Sequence, residues 1–217
     1  PEAVPAVVSA QADNPDLEQA ESILVVDLGR FTCDLAVVDN ELTPILKESH
    51  EHGVQKMIER VHALLPVFEK EKGLNFGATD LSVDSIDAII RQGYVGSRLE
   101  MAKDKRIDVT SVINQAAAEL AEQIWKDVRA LHRNTRDIDA VLVVGGGANY
   151  IAGKLPGLND NTAAWHDVVI VPENPEMAIA RGVYLALTSM EEDIREQLES
   201  APPAVSNIRG RANDKAV

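Results

Sequence analysis

The sequence has a single cysteine, no long apolar run and few positive charges. One cysteine, Cys33, excludes an internal disulfide and a cysteine-based zinc cluster, and it fits a reducing cytoplasm. We expect neither a membrane span nor a signal peptide, because no apolar segment has the required length. The 35 acidic residues outnumber the 21 basic ones, and the net charge of −14 argues against binding DNA or an anionic membrane directly. An anion would need local donors: backbone amides, a helix N-terminus or a divalent metal.

The remaining composition is that of an ordinary globular protein. Hydrophobic residues make up 45% of the 217 residues, enough for one large domain or two small ones. The chain begins at Pro1 rather than at methionine, so we expect a fragment or a processed product. The five histidines show no metal-like spacing and are interpreted as surface residues.

Hydrophobic periodicity predicts alternating strands and helices. Pro44 interrupts the third strand, which places it near an edge of the sheet. Ser82 and Gly93 have the residue types of a helix start and stop, and Asn174-Pro175-Glu176 opens another helix. The predicted strands are 23–28, 32–39, 42–49, a buried run ending at 144, and 168–171; the main helices follow Gly53, Ser82, Asp108, Ala148 and Asn174. This order predicts an α/β domain with a mixed sheet flanked by helices.

The chain is predicted to divide into four parts. Residues 1–21 form a polar surface loop, and residues 22–52 with 108–190 form the core domain. Residues 53–107 are more broken in pattern and form a smaller inserted subdomain. Residues 191–217 are a charged helix end followed by a disordered tail.

The bend between the first two strands has an unusual set of polar residues. Asp27, Gly29, Thr32 and Asp34 lie between two apolar runs. Successive amides in such a turn can form an anion-binding concavity, to which Thr32 adds a hydroxyl. Asp27 would repel a phosphate, but it can hold a hydrated Mg²⁺ that bridges to phosphate oxygens. The alternative is an ordinary hairpin turn in which both aspartates bond local amides.

Glycines mark two other positions. Gly145, Gly146 and Gly147 follow the fully apolar strand in "VLVVGGGA", where a tight turn needs only one glycine. A ligand that touches the main chain explains the run better than a turn does. Gly182, in the middle of a helix, costs about 1 kcal/mol relative to alanine, which indicates close packing against another element or a ligand.

Together these motifs resemble the C-terminal half of an actin-like ATPase, within the superfamily of actin, sugar kinases and the seventy-kilodalton chaperones. The bend resembles the second phosphate loop, "VLVVGGGA" the adenosine motif, and "PENPEMAIARGVYLAL" the closing helix of ParM/StbA-type plasmid-segregation actins. "PEAVPAV" at the start is similar to their segment between lobes. The resemblance implies an actin-like, ribonuclease H-like lobe, with residues 1–21 as the inter-lobe segment.

The resemblance also implies roles for single residues. Asp27 would be the Mg²⁺-linked carboxylate, bound through water, and Glu2 would position the attacking water. Asp34 would be an accessory acid, and Lys56 would contact the ribose at the purine pocket. The backbone of Gly29, Arg30, Phe31 and Thr32, with the Thr32 hydroxyl, would hold the β- and γ-phosphates. Gly145, Gly146 and Gly147 would lie against the ribose and the α-phosphate. Arg30 and Phe31 depart from the family pattern, which has small residues there.

The function implied is a cytoplasmic, filament-forming ATPase that binds ATP and Mg²⁺ and segregates plasmid DNA through an adaptor protein. Hydrolysis is expected only together with the N-terminal lobe, which carries the first phosphate loop. Two alternatives stay open: half of a small-molecule kinase of the same superfamily, and an actin-like scaffold lobe without nucleotide.

Overall fold

The fold is a mixed β-sheet with helices on both faces. The computed structural model describes residues 2–132, 137–155 and 169–200. Within these residues the strands are β1 Ser22–Leu28, β2 Cys33–Asp39, β3 Pro44–His50, β4 Tyr94–Val95, β5 Ile107–Asp108, β6 Ala140–Val144 and β7 Val169–Ile170. The α-helices of this described part are α1 Ala3–Asp13, α2 Val54–Glu71, α3 Val83–Gln92, α4 Thr110–Leu131, α5 Ala148–Ile151 and α6 Ala178–Ser200.

The five-stranded sheet has the order β3-β2-β1-β6-β7. Strands β1, β2 and β3 are antiparallel neighbours, whereas β6 pairs in parallel with both β1 and β7. The prediction of an α/β fold with a mixed sheet is confirmed. Strand β3 lies at the edge, as Pro44 indicated, and Pro44 is its first residue.

The two faces of the sheet bury different sets of residues. On one face Leu24, Val26 and Leu35 pack with α2, α3 and α4. Buried residues between 54 and 90 belong to the same hydrophobic core as the sheet and do not form a separate core. The boundaries of a subdomain at 53–107 therefore remain a prediction. On the other face Val25 and Leu142 pack with α1 and with the start of α6.

The prediction of a surface loop at the start of the chain was wrong. Residues 3–13 form α1, which buries Ala6, Val7, Ser9 and Ala10. Pro5 lies in the first turn of α1, where its missing amide hydrogen costs no helical hydrogen bond. The small residues of α1 allow α6 to approach closely, and the guanidinium of Arg181 in α6 pairs with the carboxylate of Asp13.

Several local predictions are confirmed. The Ser82 hydroxyl accepts a hydrogen bond from the Ser85 amide at 3.2 Å, and Gly93 ends α3 in the left-handed conformation. Helix α4 begins at Thr110 rather than at Asp108, whose carboxylate accepts from the Thr110 amide at 2.8 Å. Asn174 opens a 3₁₀ turn, Pro175–Met177, that leads into α6.

No helix in residues 2–132, 137–155 and 169–200 is long and apolar enough to cross a membrane. The predicted tail at 201–217 lies outside the described residues.

Candidate nucleotide-binding site

The turn between β1 and β2 is held by the start of α2. The amides of Gly53, Val54 and Gln55 donate to the carbonyls of Phe31, Gly29 and Arg30 at 3.2, 3.0 and 2.7 Å, respectively. A Cβ atom at Gly53 would lie 2.4 Å from the Arg30 carbonyl oxygen. Glycine at position 53 therefore lets the helix N-terminus meet the backbone of the turn.

Backbone amides of the β1–β2 turn remain able to donate hydrogen bonds to a ligand. The Gly29 amide donates to the Thr32 carbonyl at 3.0 Å and closes the turn. Within the described part of the chain, no protein acceptor takes a hydrogen bond from the amides of Arg30, Phe31 and Thr32. The carbonyls are occupied by α2 and the amides are free, which is the arrangement that an anion-binding turn requires.

The triple-glycine corner packs directly on the end of β1. Gly147 donates its amide to the Leu28 carbonyl at 3.1 Å, and Gly145 donates to the Pro175 carbonyl at 2.9 Å. Gly145 has φ +85°, and a Cβ atom there would lie 2.5 Å from an Asp27 carboxylate oxygen. At Gly147 a Cβ atom would lie 2.5 Å from the Leu28 and Val54 side chains. Packing within the protein thus explains two of the three glycines, and only Gly146 faces open space.

The turn and the corner share one cleft of about 440 Å³. It brings together four of the predicted residues, Gly29, Arg30, Gly146 and Gly147, and sequence reasoning missed the other residues that line it. The missed set comes from α3, α5, the start of α2 and the 3₁₀ turn before α6: Val54, Asp87, Arg91, Tyr150 and Glu176. Asp87 and Arg91 form an ion pair across one turn of α3. That i,i+4 spacing is visible in the sequence, but only the fold brings α3 to the cleft.

Several predicted contacts, among them Lys56 and Phe31, lie outside the lining of this cleft. Lys56 is exposed and pairs with Glu59 at 3.7 Å, so its predicted role at the ribose has no support in the geometry. The Phe31 ring is 66% exposed and lies 5.8 Å below the Arg30 guanidinium, outside the lining of the cleft. For Phe31, only the backbone amide remains a candidate phosphate donor.

Three carboxylates meet next to the turn. Glu2, Asp27 and Asp34 place one oxygen each within 4.8 Å of one another, in a second cleft of about 350 Å³ that also has Lys47 in its lining. Asp27 and Asp34 are direct partners in the β1–β2 pairing. Burial, together with the charges of Asp34 and Glu2, raises the pKa of Asp27 to about 6. Oxygen donors of this kind are the ligands that Mg²⁺ prefers, so the residues fit that ion.

The Thr32 hydroxyl belongs to this acidic group. It donates to an Asp34 carboxylate oxygen at 3.2 Å, so in this structure it serves the carboxylate that the resemblance made an accessory acid. The Asp27 carboxylate lines the acidic cleft and also lies against Gly145, at the triple-glycine corner. The predicted set Glu2, Asp27, Thr32 and Asp34 is therefore brought together around one end of β1.

Substitution of two neighbouring glycines should separate packing from access to the cleft. We expect Gly145→Ala to lower the free energy of unfolding by about 2–3 kcal/mol, because it forces a side chain into positive φ and onto Asp27 and the Leu28 carbonyl. Gly146→Ala should change it by less than about 1 kcal/mol, because its Cβ meets nothing. Urea unfolding measures both, and equal losses would contradict the packing described here.

Comparison with known proteins assigns this arrangement to a family. The model of the C-terminal domain of MreB-like archaeal actin homologues matches residues 25–157, more than half of the chain. The chain belongs to this actin-like family. It corresponds to the C-terminal half of an actin-like protein, which confirms the resemblance to the actin-like fold seen in the motifs. A search of curated proteins found no match.

Solved structures share the fold at low sequence identity. The archaeal actin homologue Ta0583 in complex with ADP is 21% identical, with a TM-score of 0.66 over 87% of this chain and 56% of its own. A ParM filament from Clostridium botulinum is 16% identical, with a TM-score of 0.61 over 86% and 51%. MreB 5 of Spiroplasma citri bound to AMPPNP is 14% identical, with a TM-score of 0.57 over 88% and 60%. The chain therefore spans little more than half the length of these actin-like proteins.

The prediction that the histidines form no metal-like cluster was wrong for two of them. His50 and His52 lie together with Asp127 of α4 in a group whose ligand atoms are within 4.8 Å of one another. The His-x-His spacing at the end of β3 was a signal in the sequence, but Asp127 follows 75 residues after His52. His166 lies outside the described residues.

Proposed function

We propose that this actin-like lobe forms one wall of a nucleotide site in a filament-forming ATPase. The observation that carries the proposal is the cleft shared by the β1–β2 turn and the triple-glycine corner. The amides of Arg30, Phe31 and Thr32 would donate to phosphate oxygens, with Arg30 and Arg91 as nearby cations. Gly146, whose Cβ position is open, would lie against the nucleotide.

Magnesium would be held on the acidic side of the turn. Asp27 would bind it through water, with Asp34 as an accessory acid and Glu2 as the residue that positions the attacking water. Three crowded carboxylates repel one another, and a divalent cation offsets that repulsion. The ion would supply charge neutralisation to the phosphates. Hydrolysis would need a second lobe to close over the nucleotide.

Solved structures of similar proteins support the proposals of nucleotide binding and of filament formation. One solved relative binds ADP, another binds AMPPNP, and a ParM relative forms a filament. We propose that this protein likewise self-associates and acts in the cytoplasm, where it segregates plasmid or other DNA. Its net charge of −14 favours contact with DNA through a basic adaptor protein rather than directly.

A matched pair of variants tests nucleotide binding. We expect a fluorescent ATP analogue with Mg²⁺ to bind the chain, and Gly146→Val to weaken that binding at least tenfold, because the side chain enters the cleft. Gly153→Val is the control, since Gly153 also has open space around its Cβ but does not line the cleft. Circular dichroism checks that both variants are folded.

The polymer is tested on the intact gene product. ATP-dependent sedimentation that Gly146→Val abolishes supports the filament-forming ATPase. Phosphorylation of a small molecule without sedimentation would point to the kinase alternative. Absence of both nucleotide binding and sedimentation would leave the scaffold interpretation.

A further inference from the structure

We propose that His50, His52 and Asp127 form a binding site for a transition-metal ion of the zinc class. His50 is the last residue of β3, His52 immediately precedes Gly53 at the start of α2, and Asp127 lies in α4. The site therefore joins three elements. It is separate from the acidic group at Asp27 and does not depend on nucleotide binding.

The ligand atoms already face one another. One Asp127 carboxylate oxygen, Oδ2, lies 2.5 Å from Nδ1 of His52 and 3.9 Å from Nδ1 of His50. Metal–nitrogen and metal–oxygen bonds of about 2.0–2.2 Å at tetrahedral angles separate ligand atoms by about 3.3 Å. The two observed distances lie on either side of that value. Side-chain shifts of under about 1 Å would complete the geometry.

The two imidazole rings are arranged alike. Their centroids are 6.0 Å apart and their planes differ by 5°, so the rings are parallel. Both rings direct the same nitrogen, Nδ1, at the same oxygen. A single histidine–aspartate hydrogen bond would explain the His52 contact alone. A shared ion explains why the His50 nitrogen is also directed at this oxygen.

The surroundings match those of metal-binding histidines. A histidine that binds a metal through one nitrogen presents the other as an N–H donor, which a carboxylate commonly accepts. Nε2 of His50 is buried and makes no hydrogen bond within the described residues, but Oε2 of Glu48 lies 3.4 Å away. The Gln123 side-chain amide donates to the other oxygen of Asp127, Oδ1, at 3.4 Å. Gln123 thus orients Asp127, and the Glu48 carboxylate is an acceptor within reach of His50 Nε2.

The donor set selects the class of ion. Two imidazole nitrogens and one carboxylate oxygen suit Zn²⁺, Co²⁺, Ni²⁺ or Cu²⁺, whereas Mg²⁺ and Ca²⁺ prefer oxygen ligands alone. Water would complete the coordination, since three protein ligands leave a position open. All three side chains are partly exposed, between 13% and 30%, so an ion can reach the site.

A bound ion would stabilise the element that holds the β1–β2 turn. His52 directly precedes Gly53, whose amide donates to the Phe31 carbonyl. Fixing His52 to β3 and α4 therefore fixes the start of α2 where it contacts the turn. This is a structural role, and it stands even if the cleft binds no nucleotide.

Titration of the tag-free, metal-free chain with Zn²⁺ tests the site. We expect one equivalent to bind, and His50→Ala and His52→Ala to weaken binding at least tenfold each. His62→Ala is the control, because His62 is exposed on α2 and belongs to no such group in the described residues. Zinc should raise the melting temperature of the parent and of His62→Ala but not that of His50→Ala or His52→Ala. Mg²⁺, which is proposed to bind at Asp27, should have the same effect on all four proteins.

Two further measurements keep the test decisive. If an alanine variant fails to fold, Asp127→Asn removes the charged ligand at nearly constant volume and should weaken zinc binding in the same way. Cys33 is the cross-strand neighbour of His50 in the β2–β3 pairing but does not belong to the three-residue group, so Cys33→Ser should leave zinc affinity unchanged. Zinc affinity that is equal in parent, His50→Ala and His52→Ala, or that is lost in Cys33→Ser, overturns the proposed site.

Discussion

Replacing Gly182 with alanine should lower the free energy of unfolding by about 3 kcal/mol, near the upper end of overpacking effects. A Cβ atom at this position would lie 1.7 Å from the carbonyl oxygen of Pro5 and 2.4 Å from its carbonyl carbon. These are backbone atoms of α1, so no side-chain rotation can relieve the clash. Non-bonded carbon contacts need about 3.5 Å, and α1 and α6 would have to separate by more than 1 Å. That loss exceeds the gain of about 1 kcal/mol in helix propensity.

The clash should loosen α1 in particular. Ala6, Val7 and Ala10 cover one face of the sheet, and they lose contact with it if α1 moves outward. Urea unfolding gives the stability, and amide hydrogen exchange shows whether protection is lost first in residues 3–13. Gly153→Ala serves as the control, because its Cβ meets no atom within 4 Å. Unchanged stability of Gly182→Ala would show that α1 does not pack on α6 as described.

Gly182 also shows what the sequence could and could not predict. A glycine within a helical pattern indicated close packing, and the structure confirms this. Its partner was missed because Pro1, Pro5 and the polar residues after Ala10 are typical of a loop. Helix α1 is stabilised by burial against α6 and the sheet, and such tertiary contacts are not visible in local propensity.

Those parts of the candidate site that lie within one short segment of sequence could be predicted. The β1–β2 bend and the glycine run were located from the sequence, and the structure brings Gly29, Arg30, Gly146 and Gly147 to one cleft. Contacts between distant segments could not be read in the same way. The role of Gly53 under the turn, the presence of Arg91 at the cleft and the approach of Asp127 to His52 all depend on how helices pack.

Asp27→Asn should make the metal-free protein more stable at neutral pH. The pKa of Asp27 is raised from 3.8 to about 6, first by burial and then by the charges of Asp34 and Glu2. The folded state therefore binds this proton more tightly than the unfolded state does. Between about pH 4 and pH 6 stability must fall as the pH rises, and the loss persists above pH 6. A shift of about 2 units corresponds to about 3 kcal/mol, which solvent screening of this half-buried group reduces to about 1–2 kcal/mol.

The asparagine variant lacks that ionisation, so the gain should depend on pH. In magnesium-free buffer, urea unfolding should show Asp27→Asn about 1–2 kcal/mol more stable at pH 8 and equal to the parent near pH 4. Asp34→Asn should give a smaller gain, because burial and not the Asp34 charge is the larger cause of the shift. Magnesium should then stabilise the parent and not Asp27→Asn, if the carboxylate carries the ion. A variant that is less stable at pH 8 would mean that the Asp27 charge has a stabilising partner, and that these three carboxylates do not repel one another in the folded lobe.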